Sequence, residues 1–341
     1  MRASGATMKD AEAARHDPVE RLSALVAEDL AAVDALIHAR MLSSVGLIPD
    51  LAGYLIDAGG KRIRPLVTLA SAALFGPPPG PARHLAAAVE FIHSATLLHD
   101  DVVDESGLRR GKAAANSVWG NAASVLVGDF LFSRAFALMV DAGSLETLGV
   151  LARASGVIAE GEVMQLAAIH DVDVSLERYM AIIDAKTAAL FAAAARVGAM
   201  AAGQGARAAD ALEHYGRSLG LAFQLIDDAL DYGGATAALG KNVGDDFREG
   251  KVTLPVVLAR READAAEERF WRRVMGEGRQ TPEDFPEALA ILQRHGAIAR
   301  TLDAARTHAE EAICSLAAAA PAGAVQLAMA DLARFVVERG H

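Results

Sequence analysis

"LLHDDVVDESGLRRG", residues 97–111, carries an apolar helical pattern into three carboxylates, Asp100, Asp101 and Asp104. Near the C-terminus of a helix the macrodipole already presents partial negative charge, so each carboxylate there costs about 0.3–1 kcal/mol. Asp100 and Asp104 also repel each other as a like-charged pair one turn apart. Because this arrangement destabilises the helix, it indicates that the carboxylates have a function.

A second copy of the pattern occurs in "QLIDDALD", residues 224–231, where Asp227, Asp228 and Asp231 follow an apolar turn. In each copy the first and last carboxylates lie about one turn apart on one helix face. Mg²⁺ takes one or two protein carboxylates and completes its shell with water and phosphate oxygens. One acidic triplet is ordinarily a solvated helix face, but two copies facing a cavity predict a metal-lined clamp for a diphosphate. The spacing of an EF-hand calcium loop is absent.

The rest of the chain reads as successive helices without strand alternation. It is 52% hydrophobic and only 5% aromatic, and alanine, its most frequent apolar residue type, has the highest helix propensity. We expect an all-α fold, a single large helical bundle around a central cavity, formed by residues 17–341 after a loose tail at 1–16. The predicted helices cover 17–42, 49–57, 64–75, 82–105, 114–140, 144–169, 175–202, 207–232, 252–277, 282–294, 297–319 and 322–338.

The charge balance and the single cysteine limit the classes of partner and compartment. A formal net charge of −11 disfavours nucleic acids and anionic membrane surfaces. Cys314 is the only cysteine, so no internal disulfide forms, and a reducing compartment fits. No apolar run of about 20 residues is free of charges, so we expect a cytoplasmic protein without stable membrane insertion.

Basic residues accompany the acidic motifs in two groups. Any one of them is ordinarily a surface ion-pair partner, but Lys186 is a lone cation on an apolar helix beside Thr187. "GGKRIRP" places its cations at the start of a helix, which favours anions. Two groups predict two phosphorylated ligands. The residues concerned are Lys61, Arg62, Arg64, Arg109, Arg110, Lys186, Lys241 and Lys251.

Five segments together resemble the trans-polyprenyl diphosphate synthases: "GGKRIRP", "HDDVVDESGLRRG", "DAKTAALF", "FQLIDDALD" and "GKNVGDDFREGKVTLP", spread over residues 50–260. The segment "RRGKAAAN" departs from the family pattern, because Ala113 stands where proline is frequent. The resemblance implies head-to-tail condensation of isopentenyl diphosphate onto an allylic diphosphate, with up to three Mg²⁺ ions per active site. The released diphosphate is expected to accept the proton.

The resemblance also implies roles for individual residues, and a lone histidine such as His93 is otherwise most often a packed core residue. Thr187 and Gln224 would support the reacting carbons, together with Lys186. The metal ligands would be Asp100, Asp101, Asp104, Asp227, Asp228 and Asp231; the allylic diphosphate would be held by Arg109, Lys186, Lys241 and Lys251; and isopentenyl diphosphate would be held by Lys61, Arg64, His93 and Arg110.

The residues one turn before the first motif, Ala95 and Thr96, are small. In the family, bulky residues at this depth stop elongation early, so the resemblance to the octaprenyl and decaprenyl subgroup implies a product of about eight to ten isoprene units (C40–C50) for quinone side chains such as that of ubiquinone. The family also implies a homodimer, for which we expect the helix at 114–140 to form the interface. Candidates for closing the tunnel lie on the same helix: Phe130, Phe132, Phe136 and Met139.

Three alternatives remain open from the sequence. A short-chain synthase making farnesyl or geranylgeranyl diphosphate disagrees with Ala95 and Thr96. A helical terpene cyclase needs one diphosphate site and would leave "GGKRIRP" unexplained. A non-catalytic subunit of a heteromeric synthase would be expected to have lost acidic motifs, and both are complete here.

Overall fold

The computed structural model describes residues 17–57, 60–109, 111–233, 244–320 and 322–338. The chain is 79% helical, which confirms the predicted all-α class. The predicted tail at 1–16 lies outside the described residues. In chain order the elements are α1 (Pro18–Leu25), α2 (Ala27–Met41), α3 (Leu47–Ile56), α4 (Ile63–Ala73), α5 (Gly80–Val103), β1 (Leu108–Arg109), β2 (Lys112–Ala113), α6 (Ala115–Trp119), α7 (Asn121–Asp141), α8 (Leu145–Leu166), α9 (Leu176–Ile183), a π-helical turn (Asp184–Ala188), α10 (Ala189–Ala201), α11 (Ala206–Gly233), α12 (Asp245–Arg248), α13 (Leu254–Arg260), α14 (Ala265–Trp271), a second π-helical turn (Arg272–Gly276), α15 (Asp284–Arg294), α16 (Ala297–Ala319) and α17 (Ala324–Glu338).

Four of the helices expected from the sequence are interrupted. The one at 17–42 divides into α1 and α2 at Val26, and the one at 175–202 contains the π-helical turn at Asp184–Ala188. The other two breaks can be traced to single residues. The one at 114–140 divides into α6 and α7 at Gly120, whose backbone φ of 84° is left-handed and ends the first helix. The one at 252–277 divides between α13 and α14, where the Asp264 side chain caps the new helix and exchanges hydrogen bonds with Glu267 in a capping box. Both breaks have local causes, a left-handed glycine and a capping aspartate.

A two-stranded hairpin follows α5, although no strand was expected. Leu108 pairs with Ala113 and Arg109 with Lys112, around a turn in which Gly111 has a φ of 74°. Each strand has two residues, which is too short for apolar and polar positions to alternate detectably.

Close helix packing surrounds α11, which lies against α10 and α16. Gly216 allows the approach of α11 to α10, because a Cβ there would lie 2.2 Å from the carbonyl oxygen of Phe191. Gly198 does the same for α10 and α4, where a Cβ would lie 2.2 Å from the Thr68 carbonyl oxygen. These close crossings fix how α10 packs against α11 and α4. This packing matters for the site, because α11 carries the second acidic motif and α10 also packs against α5, which carries the first.

Helix α7 packs along α5 and is also the one helix among the described residues that is long and apolar enough to cross a membrane. It has 21 residues, and 39% of its most apolar stretch is buried within the bundle. Length and composition of this kind also occur in core helices of soluble proteins. By length and composition α7 is therefore a candidate membrane-spanning helix, whereas none was expected from the sequence, because charged residues interrupt every long apolar run.

The C-terminal helices complete the bundle around the other elements. Helix α16 packs along α11, and α17 packs against α1, where Arg21 forms an ion pair with Asp331. The ammonium group of Lys61 lies 4.8 Å from the centre of the Phe335 ring. The last helix therefore contacts Lys61, one of the residues that the sequence assigned to isopentenyl diphosphate.

Candidate active site

The first acidic motif ends α5, and its three aspartates have different environments. Asp101 is fully buried, and one of its carboxylate oxygens accepts a hydrogen bond from Arg109 Nε at 2.7 Å. The carbonyl oxygen of Asp101 accepts another from Asn116 Nδ2 at 2.8 Å. Asp101 thus ties the hairpin and α6 to the end of α5, while Asp100 and Asp104 are partly exposed.

Two lysines from distant parts of the chain approach these partly exposed aspartates. Lys251 Nζ donates to Asp104 Oδ2 at 2.9 Å, and Lys186 Nζ lies 4.0 Å from Asp100 Oδ2. Lys186 also donates to Glu162 Oε2 at 2.7 Å. The structure therefore brings Lys186 and Lys251, two of the four residues assigned to the allylic diphosphate, to the first motif.

The pKa values of Asp100 and Lys251 are both raised, but for different reasons. Burial raises the pKa of Asp100 to about 7, and the Lys186 cation opposes that shift while the Glu162 and Asp104 carboxylates add to it. Burial disfavours the charged form of Lys251, but the Asp104 carboxylate and Glu249 outweigh it and raise the pKa of Lys251. Lys251 therefore stays positively charged. A further positive charge near Asp100 would favour the ionised form of its carboxyl group.

The π-helical turn at Asp184–Ala188 presents Lys186 and Thr187 to the interior. Such single turns are often found at functional sites. Gly161 on α8 permits the close approach of that helix, because a Cβ there would lie 2.7 Å from the backbone nitrogen of Lys186. Thr187 Oγ1 donates to Gln224 Oε1 at 2.8 Å, so the turn is joined to α11 just before the second motif.

The second motif continues this line of hydrogen bonds into the protein. Gln224 Nε2 donates to Asp228 Oδ1 at 2.8 Å, and the buried Tyr179 hydroxyl donates to Asp228 Oδ2. Burial raises the pKa of Asp228 to about 6, against the two hydrogen bonds, which lower it. Burial, together with the Asp228 charge, raises the pKa of Tyr179 well above its usual range, so the phenol remains a donor.

Of the other two aspartates of the second motif, Asp231 contacts the start of α12. Asp231 Oδ1 and Oδ2 accept from the backbone nitrogens of Asp245 and Asp246 at 3.1 and 3.0 Å. Asp227 is partly exposed. Burial raises the pKa of Asp246 well above its usual range, and the nearby Asp228 and Asp231 charges add to this. The site thus concentrates carboxylates whose mutual repulsion a cation would relieve.

Two of the four residues assigned to isopentenyl diphosphate, Arg64 and His93, meet at the start of α4. Arg64 Nη1 lies 3.0 Å from His93 Nε2, and its guanidinium lies 4.4 Å from the centre of the Phe191 ring. Lys61 Nζ donates to Asp17 Oδ2 at 3.0 Å. The structure brings Arg64 and His93 together, whereas Arg110 and Lys241 lie outside the described residues.

Mg²⁺ fits the donor chemistry of this site as an ion shared with a phosphorylated ligand. Within the described part of the chain no group of three or more His, Cys, Asp or Glu side chains is close enough to hold a metal by itself. Asp101 Oδ2 is buried without a hydrogen-bond partner. Because Mg²⁺ typically uses one or two carboxylates and takes phosphate and water oxygens for the rest, the acidic residues suit a metal–diphosphate complex better than a resident metal.

A cavity of about 140 Å³ adjoins the hydrogen-bonded line from Thr187 to Asp228. Its polar side carries Lys186, Gln224 and Lys251, and its apolar side includes Ile182 and Val252. The lining therefore combines two lysines, the Thr187 hydroxyl, the carboxyl groups of Asp228 and Asp246, and apolar side chains, which suits a ligand with a charged head and a hydrocarbon body.

Three residues of the site were missed by sequence reasoning. Glu162 binds Lys186, Tyr179 binds Asp228, and the Asp246 carboxyl lies near Lys251. Asp246 belongs to the segment "GKNVGDDFREGK", whose paired carboxylates were a usable signal. Glu162 and Tyr179 carried no comparable signal, because their partners lie 24 and 49 residues away.

Comparisons with known proteins agree with this arrangement. Residues 46–292 match the profile of the family described as polyprenyl synthetase. Octaprenyl diphosphate synthase of Escherichia coli (strain K12) is 46% identical over 300 residues, covering 87% of this chain and 92% of that protein. The crystal structure of a decaprenyl diphosphate synthase from Rhodobacter capsulatus has a TM-score of 0.91 and 50% identity, covering 95% of this chain and 100% of that chain.

A second solved structure is similar over the same extent. The polyprenyl synthase from Caulobacter crescentus CB15, complexed with calcium and isoprenyl diphosphate, has a TM-score of 0.91 and 55% identity, covering 95% of this chain and 98% of that chain. The family match, the all-α fold and the paired acidic motifs agree with one another. This chain therefore belongs to the polyprenyl synthetase family and is a prenyltransferase.

Proposed function

We propose that this protein is a long-chain trans-polyprenyl diphosphate synthase that condenses isopentenyl diphosphate with an allylic diphosphate. The observation that carries the proposal is the continuous arrangement from Asp100 through Lys186 and Thr187 to Gln224 and Asp228. It joins the two acidic motifs across the π-helical turn. Relatives that make octaprenyl and decaprenyl diphosphate support the long-chain class.

Asp100, Asp104, Asp227 and Asp231 are the residues that would hold Mg²⁺, with up to three ions per active site. The bound ions would neutralise the charge that develops on the departing diphosphate. Asp101 and Asp228 are both buried and hydrogen-bonded to protein groups, so we propose that they orient their motifs and contribute to metal binding from behind, through Asp101 Oδ2, which has no hydrogen-bond partner, or through water.

The lysines would exchange carboxylate partners for phosphate oxygens when the allylic diphosphate binds. Lys186 is held by Glu162, and Lys251 by Asp104 and Glu249. These contacts keep both cations in place before the ligand arrives, so little reorganisation is needed where negative charge develops. Arg109 pairs with Asp101 and would extend the same positive surface, together with Lys241.

Thr187 and Gln224 would stabilise the allylic carbocation without capturing it. The Thr187 hydroxyl proton is donated to Gln224, so the lone pairs of Thr187 are left to face positive charge. A neutral oxygen lends electrostatic support and carries no full charge that would favour a covalent bond. The apolar wall of the cavity would limit water, and the released diphosphate would accept the final proton.

Chain length would be set along the interface of α5 and α7. Ala95 is fully buried, and the Thr96 hydroxyl donates to the His93 carbonyl oxygen, so neither fills the path with a bulky group. His99 Nε2 lies 3.2 Å from the Val125 carbonyl oxygen, which places the start of α7 beside the metal end of α5. At 1.5 Å per residue, Met139 is then about 21 Å deeper, or roughly four isoprene units of ~5 Å.

Met139 is fully buried, whereas the Phe136 side chain is 40% exposed, so Met139 is the better placed of these two residues to form the deep wall. Phe130 and Phe132 are partly buried against the core. A product of about eight to ten units exceeds the depth at Met139. We therefore infer that its distal part bends or passes between helices beyond that residue, and we propose a quinone side chain as its use.

We also propose a homodimer whose interface includes α7. Several large apolar side chains of α7 and α8 are exposed, and large apolar patches are rare on monomers. Light scattering should give twice the chain mass of 35.5 kDa, and Leu126→Glu should lower it; a monomeric wild type would contradict the interface. The exposed apolar side chains are Leu126, Val140, Val163 and Leu166.

We further propose that residues 17–341 form one helical domain and that the protein is cytoplasmic.

The test of the function is incubation of the purified protein with labelled isopentenyl diphosphate, farnesyl diphosphate and Mg²⁺, followed by chromatography of the dephosphorylated products. A ladder ending at about eight to ten isoprene units supports the proposal. Products ending at three or four units identify a short-chain synthase. An absence of elongation by folded protein identifies a non-catalytic subunit and contradicts the proposal.

A further inference from the structure

Arg62 has an unusual backbone conformation at the start of α4. Its φ and ψ are 47° and 38°, in the left-handed region, and it is one of three non-glycine residues with positive φ in the described part of the chain. Arginine, unlike glycine, pays a conformational cost there. Such a conformation persists only where surrounding contacts hold it, which directs attention to the side chain.

The Arg62 side chain is held by two carboxylates from other helices. Nη1 donates to Glu90 Oε1 of α5 at 2.7 Å, and Nε lies 3.2 Å from Asp34 Oδ1 of α2. The side chains of Arg62 and Glu90 are only 16% and 11% exposed. Because its donors face two protein carboxylates in a mostly buried site, the Arg62 side chain is held by the fold. Lys61 also pairs with a carboxylate, that of Asp17, but its side chain is 48% exposed.

The partner Glu90 lies on the helix that carries the rest of the site. On α5, His93 lies three residues and Asp100 ten residues after Glu90, so the three side chains share one face of the helix. At 1.5 Å per residue, His93 is about 4.5 Å and Asp100 about 15 Å further along the axis. The Arg62–Glu90 ion pair therefore fixes where the start of α4 lies along α5, and Arg64 meets His93 beside it at 3.0 Å.

We propose that Arg62 is a positioning residue for isopentenyl diphosphate. It holds Lys61 and Arg64 in register with His93 and with the first acidic motif, and it makes no contact with the substrate itself. This inference rests on the proposed function, because it assigns isopentenyl diphosphate to Lys61, Arg64 and His93. The proposal predicts different effects on the binding of the two substrates, because the allylic diphosphate site, built from Lys186 and Lys251, does not depend on the Arg62–Glu90 ion pair.

The test compares Arg62→Gln and Glu90→Gln with the wild-type chain. The dissociation constant of labelled isopentenyl diphosphate, measured by equilibrium dialysis, should rise about tenfold, since loss of about 1.4 kcal/mol of binding free energy has that effect. The KM for farnesyl diphosphate should stay within about twofold of the wild-type value. Arg62→Lys, which keeps the charge but not the fork of donors, should be intermediate.

Arg83→Gln is the matched control. Arg83 Nε donates to Asp29 Oδ1 at 2.7 Å and so joins α5 to α2 through a mostly buried carboxylate, as Arg62 does. Arg83 lies near the N-terminal end of α5, about two turns before Glu90 and far from the first acidic motif. The control should leave both substrate constants unchanged. Equal changes in the Arg62 and Arg83 variants, or equal changes for both substrates, would show a general packing effect and overturn the proposal.

Two further results separate this inference from the proposed function. If Arg62→Gln does not fold, as judged by circular dichroism, Arg62→Lys supplies the same comparison. Wild-type protein that binds isopentenyl diphosphate without elongating it would contradict the function, while the ratio of dissociation constants would still decide the role of Arg62. Wild-type protein that binds no isopentenyl diphosphate would overturn both.

Discussion

Asp100→Asn should make the metal-free protein more stable while removing its turnover. The Asp100 side chain, at the end of α5, is only 17% exposed, and this partial burial raises its pKa to about 7. Asparagine has nearly the shape of the protonated acid and carries no charge. The substitution therefore removes the electrostatic cost of the carboxylate together with a group that would hold Mg²⁺.

The pKa shift gives the size and the sign of the effect. The pKa rises from an ordinary value of 3.8 to about 7, and one unit of pKa corresponds to about 1.36 kcal/mol, so ionised Asp100 destabilises the fold by at most about 4 kcal/mol. Below pH 3.8 the acid is protonated in both states and has no effect. As pH rises toward 7, the unfolded chain binds fewer protons than the folded chain, so wild-type stability falls. Above pH 7 the penalty is constant.

The measurement is urea unfolding in EDTA, followed by circular dichroism, at several pH values between 4 and 8. The difference in unfolding free energy between Asp100→Asn and wild type should be small near pH 4, grow with pH and level off above pH 7. Adding Mg²⁺ with inorganic diphosphate should stabilise the wild type more than the variant, because binding to the native state alone raises stability.

Asp104→Asn is the control from the same motif and should have the opposite sign. Asp104 accepts from Lys251 at 2.9 Å, with both side chains less than a fifth exposed. Its removal takes away one counter-charge of a buried cation and should lower stability at pH 8. An Asp100→Asn protein that is no more stable than wild type at pH 8 in EDTA would refute the reasoning.

Three other substitutions test separate parts of the site. Tyr179→Phe removes the hydroxyl donor to Asp228 and should lower kcat about tenfold, in line with a cost of about 1–3 kcal/mol for an unsatisfied buried acceptor; unchanged steady-state kinetics would exclude this role. Gly161→Ala places a Cβ 2.7 Å from the Lys186 backbone nitrogen and should lower the unfolding free energy by about 1–3 kcal/mol in urea titrations, whereas wild-type stability would show that α8 can shift freely. Ala95→Phe fills a fully buried position and should shorten the product on chromatography; a product of wild-type length would place the elongation path elsewhere.

Local sequence patterns predicted the all-α class and the helices that carry the two acidic motifs. The spacing of apolar residues predicted α5 and α11 because helix periodicity is a local property. The repeated Asp-Asp-x-x-Asp pattern at the ends of both helices predicted an acidic site for the same reason. The break at Gly120 was missed, since a glycine within an apolar pattern is compatible with a continuous helix until its φ is known.

The sequence by itself determined the helical class, the two acidic motifs and the family to which they belong. Only the tertiary structure decided which carboxylates remain partly exposed: Asp101 and Asp228 are buried by Arg109 and Tyr179, whereas Asp100 and Asp104 meet lysines. The two kinds of aspartate are alike in the sequence, and they differ because packing brings distant residues against one face of each helix. Burial and partner charge are properties of that packing, and they set the pKa of each carboxylate.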